Sequence, residues 1–504
     1  MTTRPGVLTL EDLFKGLSVP MGQWPHGDLS GVEIHGAVID SRLASPGCLF
    51  IAMRGERHDG HGFVREAIGK GAVAILAERA PDVPCTTLNV LEGRPESRVP
   101  PQTTLPEDRG LGLPVCLVVP DSLVALQRVA AYWRRQHEVR VIGITGSVGK
   151  TTSKEVIAAV LSRRFRTLKS EGNYNNEIGL PLTLLHLTAD HERVVLEMGM
   201  YDLGEIAHLA DIALPQVGVV TNVGPSHLER LGTIERIAQA KAELPRALPP
   251  AEEGGVAILN IDDQWVRAME AQTAARVFTY GLSAGADLWA DDIESEGWEG
   301  IRFRFHHSGQ IIYAHLPMLG RHSVHTALRA AAGGLVEGLD WEEIITGLHD
   351  RSPQLRLVAV PGPQGSTILD DTYNSSPASC IAALNLLDEL GGPERGGRKI
   401  AVLGDMYELG VYEEEGHKIV GRRARDVVDL LVTVGQLGRV IGEEALEAGM
   451  PVASVHFAET NAQAIDLLHM LVEPSPGGDS ILVKGSRGMA MEEIVAALQQ
   501  GGVP

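Results

Sequence analysis

Short apolar runs alternate with segments of helical period along most of the chain. GCLFIAM at 47–53 and AVAILA at 72–77 read as strands, with a helix around Phe63 to Lys70 near them. DSLVALQRVAAYWRRQ at 121–136 places its apolar residues on one helical face and leads into the strand VRVIGIT at 139–145. Further runs end in polar residues: RVVLE at Glu197, QVGVVTN at Asn222, STILDD at Asp371, KIAVLGD at Asp405 and ILVKGS around Lys484. Strands alternating with amphipathic helices indicate an α/β protein. Ligands of open α/β sheets bind beyond the carboxyl ends of the strands, so those polar ends are where chemistry is expected. The stretch from Leu91 to Pro114, rich in proline, glycine and charge, has no periodic apolar face and reads as a linker. The helical segments HSVHTALRAAAGGLVEG and WEEIITGLHDRSP close a middle unit near Pro353.

Composition narrows the function. At 504 residues the chain is long enough for about three domains of roughly 150 residues each. With Lys plus Arg at 44 against Asp plus Glu at 65, the net charge of -21 argues against a general nucleic-acid or acidic-membrane binder but leaves room for a local anion site. Cys48, Cys85, Cys116 and Cys380 form no CxxC pair, as expected of reduced structural thiols in a cytoplasmic protein. Glu11, Asp12 and Lys15 interrupt the apolar N-terminal residues, so no secretory signal is expected there.

The run from Gly143 to Thr152, GITGSVGKTT, lies between an apolar strand and the helical segment KTTSKEVIAAVLSRR. Glycines 146 and 149 let backbone N–H groups approach a phosphate at a helix N-terminus. Lys150 suits the terminal phosphates and the Thr151 hydroxyl suits magnesium, with Ser147 and Thr152 beside them. The spacing departs from GxxxxGK[ST], because position 144 is Ile. Glu197 ends an apolar strand, where a carboxylate is costly without a cation, and Thr151 with Glu197 would make an oxygen pair for magnesium. A solvated strand-end glutamate is the plainer alternative. His227 follows another strand end, either as surface polarity or as an imidazole ligand. In the helix beginning near Thr233, Lys241 falls on the stripe of Ile234, Ile237, Ala238 and Leu244. It either snorkels to water or is held as a neutral amine able to form a carbamate with carbon dioxide.

Ordered motifs over nearly the whole chain resemble those of the Mur ligases of peptidoglycan synthesis. They are DSR at 40–42 with PGCLFIAMRGERHDGHGF, TGSVGKTT at 145–152, EGNYNNEIGLPLTLL at 171–185 and EMG at 197–199. TNVGPSHLERLGTIERIAQAKAEL at 221–244, DDTYNSSP at 370–377, GDMYELG at 404–410 and KGSR at 484–487 follow. NNEIG with GDMYELG resembles the branch that adds a dipeptide. The resemblance implies a small α/β N-terminal domain (1–118) for the UDP-sugar, a central P-loop-type, mostly parallel domain (119–352) for ATP, and a Rossmann-like C-terminal domain (353–504). It implies an ATP-dependent ligase joining D-alanyl-D-alanine to UDP-N-acetylmuramoyl-tripeptide through an acyl phosphate.

Residue by residue, the resemblance implies that Lys241 is carbamylated and binds magnesium with Glu197 and His227, while Thr151 and Glu197 hold the ATP-linked ion, two in all. Ser41 and Arg42 look like the uridine-nucleotide site, and Arg356 and Asp371 look like residues that reach ATP. Asn374 matches a loop facing the active site, and Asn173, Asn175 and Asn176 belong to the branch-specific motif. Lys484 and Arg487 either bind a substrate carboxylate or pair with surface acids. Two positions depart from the family pattern. His325 stands where an asparagine is expected at the adenine pocket, and Leu355-Arg356 replaces the usual Gly-Arg. The sister ligase for the third residue carries a DNPR motif, and none occurs here. A folylpolyglutamate synthase would lack the DSR-bearing first domain, and a non-catalytic regulator would have no reason to keep Lys150, Thr151, Glu197, His227 and Lys241. The expected protein is a monomer that neither binds nucleic acid nor inserts into membranes.

Overall fold

The computed structural model describes residues 6–24, 27–55, 58–90, 112–225, 228–350, 358–391, 396–475 and 477–500. Three sheets of largely parallel strands carry the fold, beside a two-stranded antiparallel pair of Leu8–Thr9 with Glu33–Ile34. The first sheet runs, edge to edge, Ala37–Val38, Leu49–Ile51, Ala74–Ala77, Val115–Val118 and Thr86–Asn89, all parallel. Most of the expected linker, residues 91–111, lies outside the described residues.

The central sheet has nine strands. From one edge they are Thr167–Lys169, Arg193–Glu197, Arg140–Thr145, Val217–Val220, Val256–Asn260, Arg276–Gly281 and Leu288–Ser295, all parallel. Ile301–His307 and Gln310–Leu316 complete it as an antiparallel hairpin. The inner strands are apolar on both faces because helices cover both. Ile142 and Ile144 point into a core with Val156, Ile157 and Ala331, while Val141 belongs to the opposite core with Leu196 and Leu244. The third sheet runs Val358–Pro361, Thr367–Asp370, Ser480–Lys484, Lys399–Gly404, Leu430–Val434 and Val455–Ala458, with only the first strand antiparallel.

Helix Ser122–Arg135 joins the first two units. Asp121 caps it by accepting the Val124 N–H at 2.9 Å. One apolar cluster runs without a break from Leu8 through Trp133 to Ala275, so the first sheet and the central one share a packed core. Trp133 is fully buried and its indole N–H donates to the Leu187 carbonyl at 3.1 Å. Trp133→Ala is expected to cost about 3–5 kcal/mol of unfolding free energy, measured by urea denaturation.

The helix near Thr233 is shorter than its apolar stripe suggests. It spans Ile234–Lys241, and a second helix covers Glu243–Ala247. Pro245 explains the break: it has no N–H to donate, and its ring would strike the carbonyl of Lys241 in a continuous helix. Lys241 is therefore the last residue of its helix, beneath the sheet's carboxyl ends.

Candidate functional site

The phosphate loop is held by glycine geometry and by a neighbouring strand end. Gly146 adopts φ of 144°, and a Cβ there would stand 1.8 Å from the Thr221 hydroxyl oxygen. Gly149, at φ 84°, precedes helix Lys150–Leu161. The Ser147 N–H donates to the Asn222 carbonyl at 2.9 Å, and the Val148 N–H to Asn222 Oδ1 at 2.9 Å. The Thr221 hydroxyl returns a bond to the Val148 carbonyl at 2.7 Å. Lys150 curls over its own loop, donating to the Gly146 carbonyl at 2.8 Å. The helix N-terminus and this ammonium face the same space, which is the electrostatic requirement for an anion.

Glu197 closes the adjacent strand and is almost fully buried. Its Oε2 accepts the Thr151 hydroxyl at 2.5 Å, and its Oε1 accepts the Asn175 amide at 2.9 Å. The solvated strand-end alternative is thereby excluded: the carboxylate sits inside, between the loop helix and the asparagine motif. Lys241 is only 2% exposed, so its ammonium does not snorkel to water. Burial, and then the charge of Lys150, push its pKa well below the ordinary lysine value.

Across the cavity stand the strand ends of the third sheet. Lys484, itself buried, donates to Asp371 Oδ2 at 2.6 Å and to the Asn374 carbonyl at 2.8 Å. It is thus no partner of surface acids. Arg487 is exposed, with its guanidinium 5.6 Å from the Tyr373 ring centre and 3.2 Å from Glu492. Asp405 takes a structural part, accepting the Leu437 and Gly438 N–H groups at 3.0 and 2.7 Å where helix Gln436–Glu447 begins. The backbone beyond it is pinned by the Met406 N–H on His417 Nε2 and the Tyr407 N–H on the Ser486 hydroxyl, each 2.9 Å.

One cavity of about 1310 Å³ gathers most of the expected residues: Gly146, Ser147, Gly149, Lys150, Thr152, Asn173, Asn175, Asn176, Glu197, Lys241, His325, Asp371, Asn374, Lys484 and Arg487. Thr151 reaches it through Glu197. His325 lines it with Nε2 3.0 Å from Asp262 Oδ2. Burial raises the Asp262 pKa, but hydrogen bonds from His325, the Leu282 N–H and Ser283 outweigh it and the net shift is downward.

Ser41 and Arg42 stand apart from this cavity. The Ser41 hydroxyl donates to Glu66 at 2.8 Å, while exposed Arg42 forks onto Asp40. His227 and Arg356 lie outside the described residues. The sequence reading marked Asn222 only as a strand end and assigned no role to His322 or Arg329; all three line the cavity. For the last two a signal existed: His322, Thr326 and Arg329 recur at i, i+4 and i+7 on an otherwise apolar helix.

Three family models match in order: a Mur ligase family catalytic domain at residues 33–111, a Mur ligase middle domain at 144–334 and a Mur ligase glutamate ligase domain at 355–487. The UDP-N-acetylmuramoyl-tripeptide--D-alanyl-D-alanine ligase of Bacillus subtilis is 38% identical over 468 residues, 92% of this chain and 93% of that one. The chain belongs to the Mur ligase family. Among solved structures, this Mur ligase is similar to MurF from Acinetobacter baumannii at 31% identity and a TM-score of 0.79, covering 99% of this chain and 100% of that one. It is also similar to a MurF ligase of Thermotoga maritima in complex with ADP, at 27% identity and a TM-score of 0.72, covering 94% and 98%. No helix among the described residues of this Mur ligase is long and apolar enough to cross a membrane.

Proposed function

We propose that this Mur ligase is an ATP-dependent amide ligase that joins D-alanyl-D-alanine to UDP-N-acetylmuramoyl-tripeptide. One observation carries the reading beyond its relatives: the phosphate loop, buried Glu197 and Lys241 share one cavity with Asp371 and Lys484 of the third sheet. A carboxylate is a poor electrophile, so its oxygen first attacks the γ-phosphorus of ATP, forming the acyl phosphate and releasing ADP. The dipeptide amine then attacks the acyl carbon, the amine proton is lost, and inorganic phosphate leaves with its bridging oxygen.

Lys150 and the N–H groups at the start of its helix bind the nucleotide phosphates and offset the charge gathered when two anions approach. Gly146, Ser147, Gly149 and Thr152 shape that cradle, with His325, Arg356 and Asp371 also on the ATP side. The oxygen donors at Glu197 and Thr151 fit magnesium, a hard cation. With His227 and a carbamylated Lys241 they would hold two ions, and bound magnesium would neutralise phosphate and carboxylate charge. Ser41 and Arg42 are assigned to the uridine end, and Asn173, Asn175, Asn176, Asn374, Lys484 and Arg487 to the peptide side. We retain the division into domains at 1–118, 119–352 and 353–504, a monomeric state and a cytoplasmic location as parts of this proposal.

The test is phosphate release with ATP, magnesium, UDP-N-acetylmuramoyl-tripeptide and D-alanyl-D-alanine, repeated with each component omitted and the product weighed. Release should require all four, with a product heavier by the dipeptide less water. Comparing lysine and diaminopimelate tripeptides identifies the accepted third residue. Release without the dipeptide, or none with either tripeptide, would overturn the reading.

A further inference from the structure

Arg329 is 5% exposed, on the helix Ser323–Val336 that crosses behind the phosphate loop. Its Nε donates to the Ser153 hydroxyl at 2.7 Å and its Nη2 to the Thr326 hydroxyl at 2.9 Å. Both partners are neutral. Among the described residues no carboxylate lies within ion-pair distance of it, whereas Lys484, the buried cation across the cavity, is paired with Asp371. A guanidinium is a permanent cation, and burying one beside hydroxyls alone is costly. The same Nη2 stands 3.2 Å from the point a Cβ on Gly149 would occupy, so the charge abuts the backbone of the phosphate loop. The residue lines the cavity, and the buried Tyr280 phenol is a third hydroxyl partner, neutral like the other two.

The geometry points to Arg329 as a phosphate-binding residue, a second cation beside Lys150 for the phosphate chain of the bound nucleotide. The inference rests on the ATP reading above and deepens it. Its physical logic is that Ser153, Thr326 and Tyr280 fix the guanidinium plane without neutralising its charge, so an anion in the cavity meets a preorganised cation, and charge-assisted hydrogen bonds from guanidinium to phosphate are strong. The absence of a fixed carboxylate matters: a protein acid in contact with the guanidinium would compete with phosphate.

Calorimetric titration of the full chain with adenosine, AMP, ADP and ATP in magnesium buffer tests this, using wild type, Arg329→Gln and Arg329→Met. The expected result is an ATP Kd raised roughly tenfold to a hundredfold in both variants, with adenosine affinity unchanged. Methionine fills the same volume without a charge and guards against a folding failure specific to glutamine. ATP binding within about twofold of wild type would overturn the inference. So would equal losses for adenosine and ATP, or loss of the folded state in both variants, because each assigns Arg329 a purely structural role. Wild type that binds no ATP would instead overturn the nucleotide reading itself.

Discussion

Glu197→Gln is expected to lower kcat about a thousandfold while leaving the folded chain as stable as wild type or more so. The opposite signs come from one fact. The carboxylate is almost fully buried, accepting one hydrogen bond from Thr151 and one from Asn175. An ionised carboxyl in that position gives up much of its hydration, and two neutral donors return only part of it. A glutamine of the same shape removes that cost. Its amide oxygen can still accept from one neighbour, although its NH2 faces the other. If Glu197 were there to hold the fold, stability and activity would fall together. If it is there to bind a cation beside the phosphates, activity alone falls, by the several kcal/mol that such charge neutralisation supplies to a transition state. Steady-state phosphate release paired with thermal melting in chelator separates the two. A variant of unchanged kcat would remove Glu197 from the proposed magnesium site.

Much of this arrangement was legible in the sequence because it depends on local rules. A strand, a glycine turn and a helix in succession place Lys150 and Thr151 at a helix N-terminus whatever the rest of the chain does. Polar residues at the ends of parallel strands converge at one rim, so Glu197, Asp371 and Lys484 could be marked before their partners were known. Lys241 was legible as an anomaly on an apolar stripe, although the stripe overran the helix that Pro245 breaks. What escaped were relations between distant elements. Ile301–His307 and Gln310–Leu316 extend the central sheet as a hairpin, and their patterns say only that they are strands, not which edge they join. Arg329 reads as an ordinary helical arginine until Ser153 and Gly149 are seen beside it, 176 residues from the former in sequence. The bond between His325 and Asp262 is equally non-local. Ser41 and Arg42 show the converse: a motif can be read with ease while its distance from the cavity cannot.

Lys241→Ala is expected to reduce kcat by at least about a hundredfold, with part of the loss restored by added acetate. The structure supplies the two conditions that carbamate formation needs. The side chain is shielded from water, and burial together with the nearby Lys150 charge holds the amine's pKa well below its ordinary value. A neutral amine has a free lone pair, which could attack carbon dioxide; one proton would leave, and an anionic carbamate would stand where the site disfavours a cation. The product would also reverse the charge next to Lys150, turning repulsion into attraction. Deleting the side chain would leave a void that a small carboxylate can enter, supplying the oxygen donors of the proposed carbamate without the tether. Phosphate-release assays of Lys241→Ala across an acetate series therefore read the role of the anion directly. Methylamine at the same concentrations should restore nothing, since it returns a base but no carboxylate. Full activity in Lys241→Ala would remove the lysine from the mechanism, and a loss that neither compound relieves would leave it as a buried structural group.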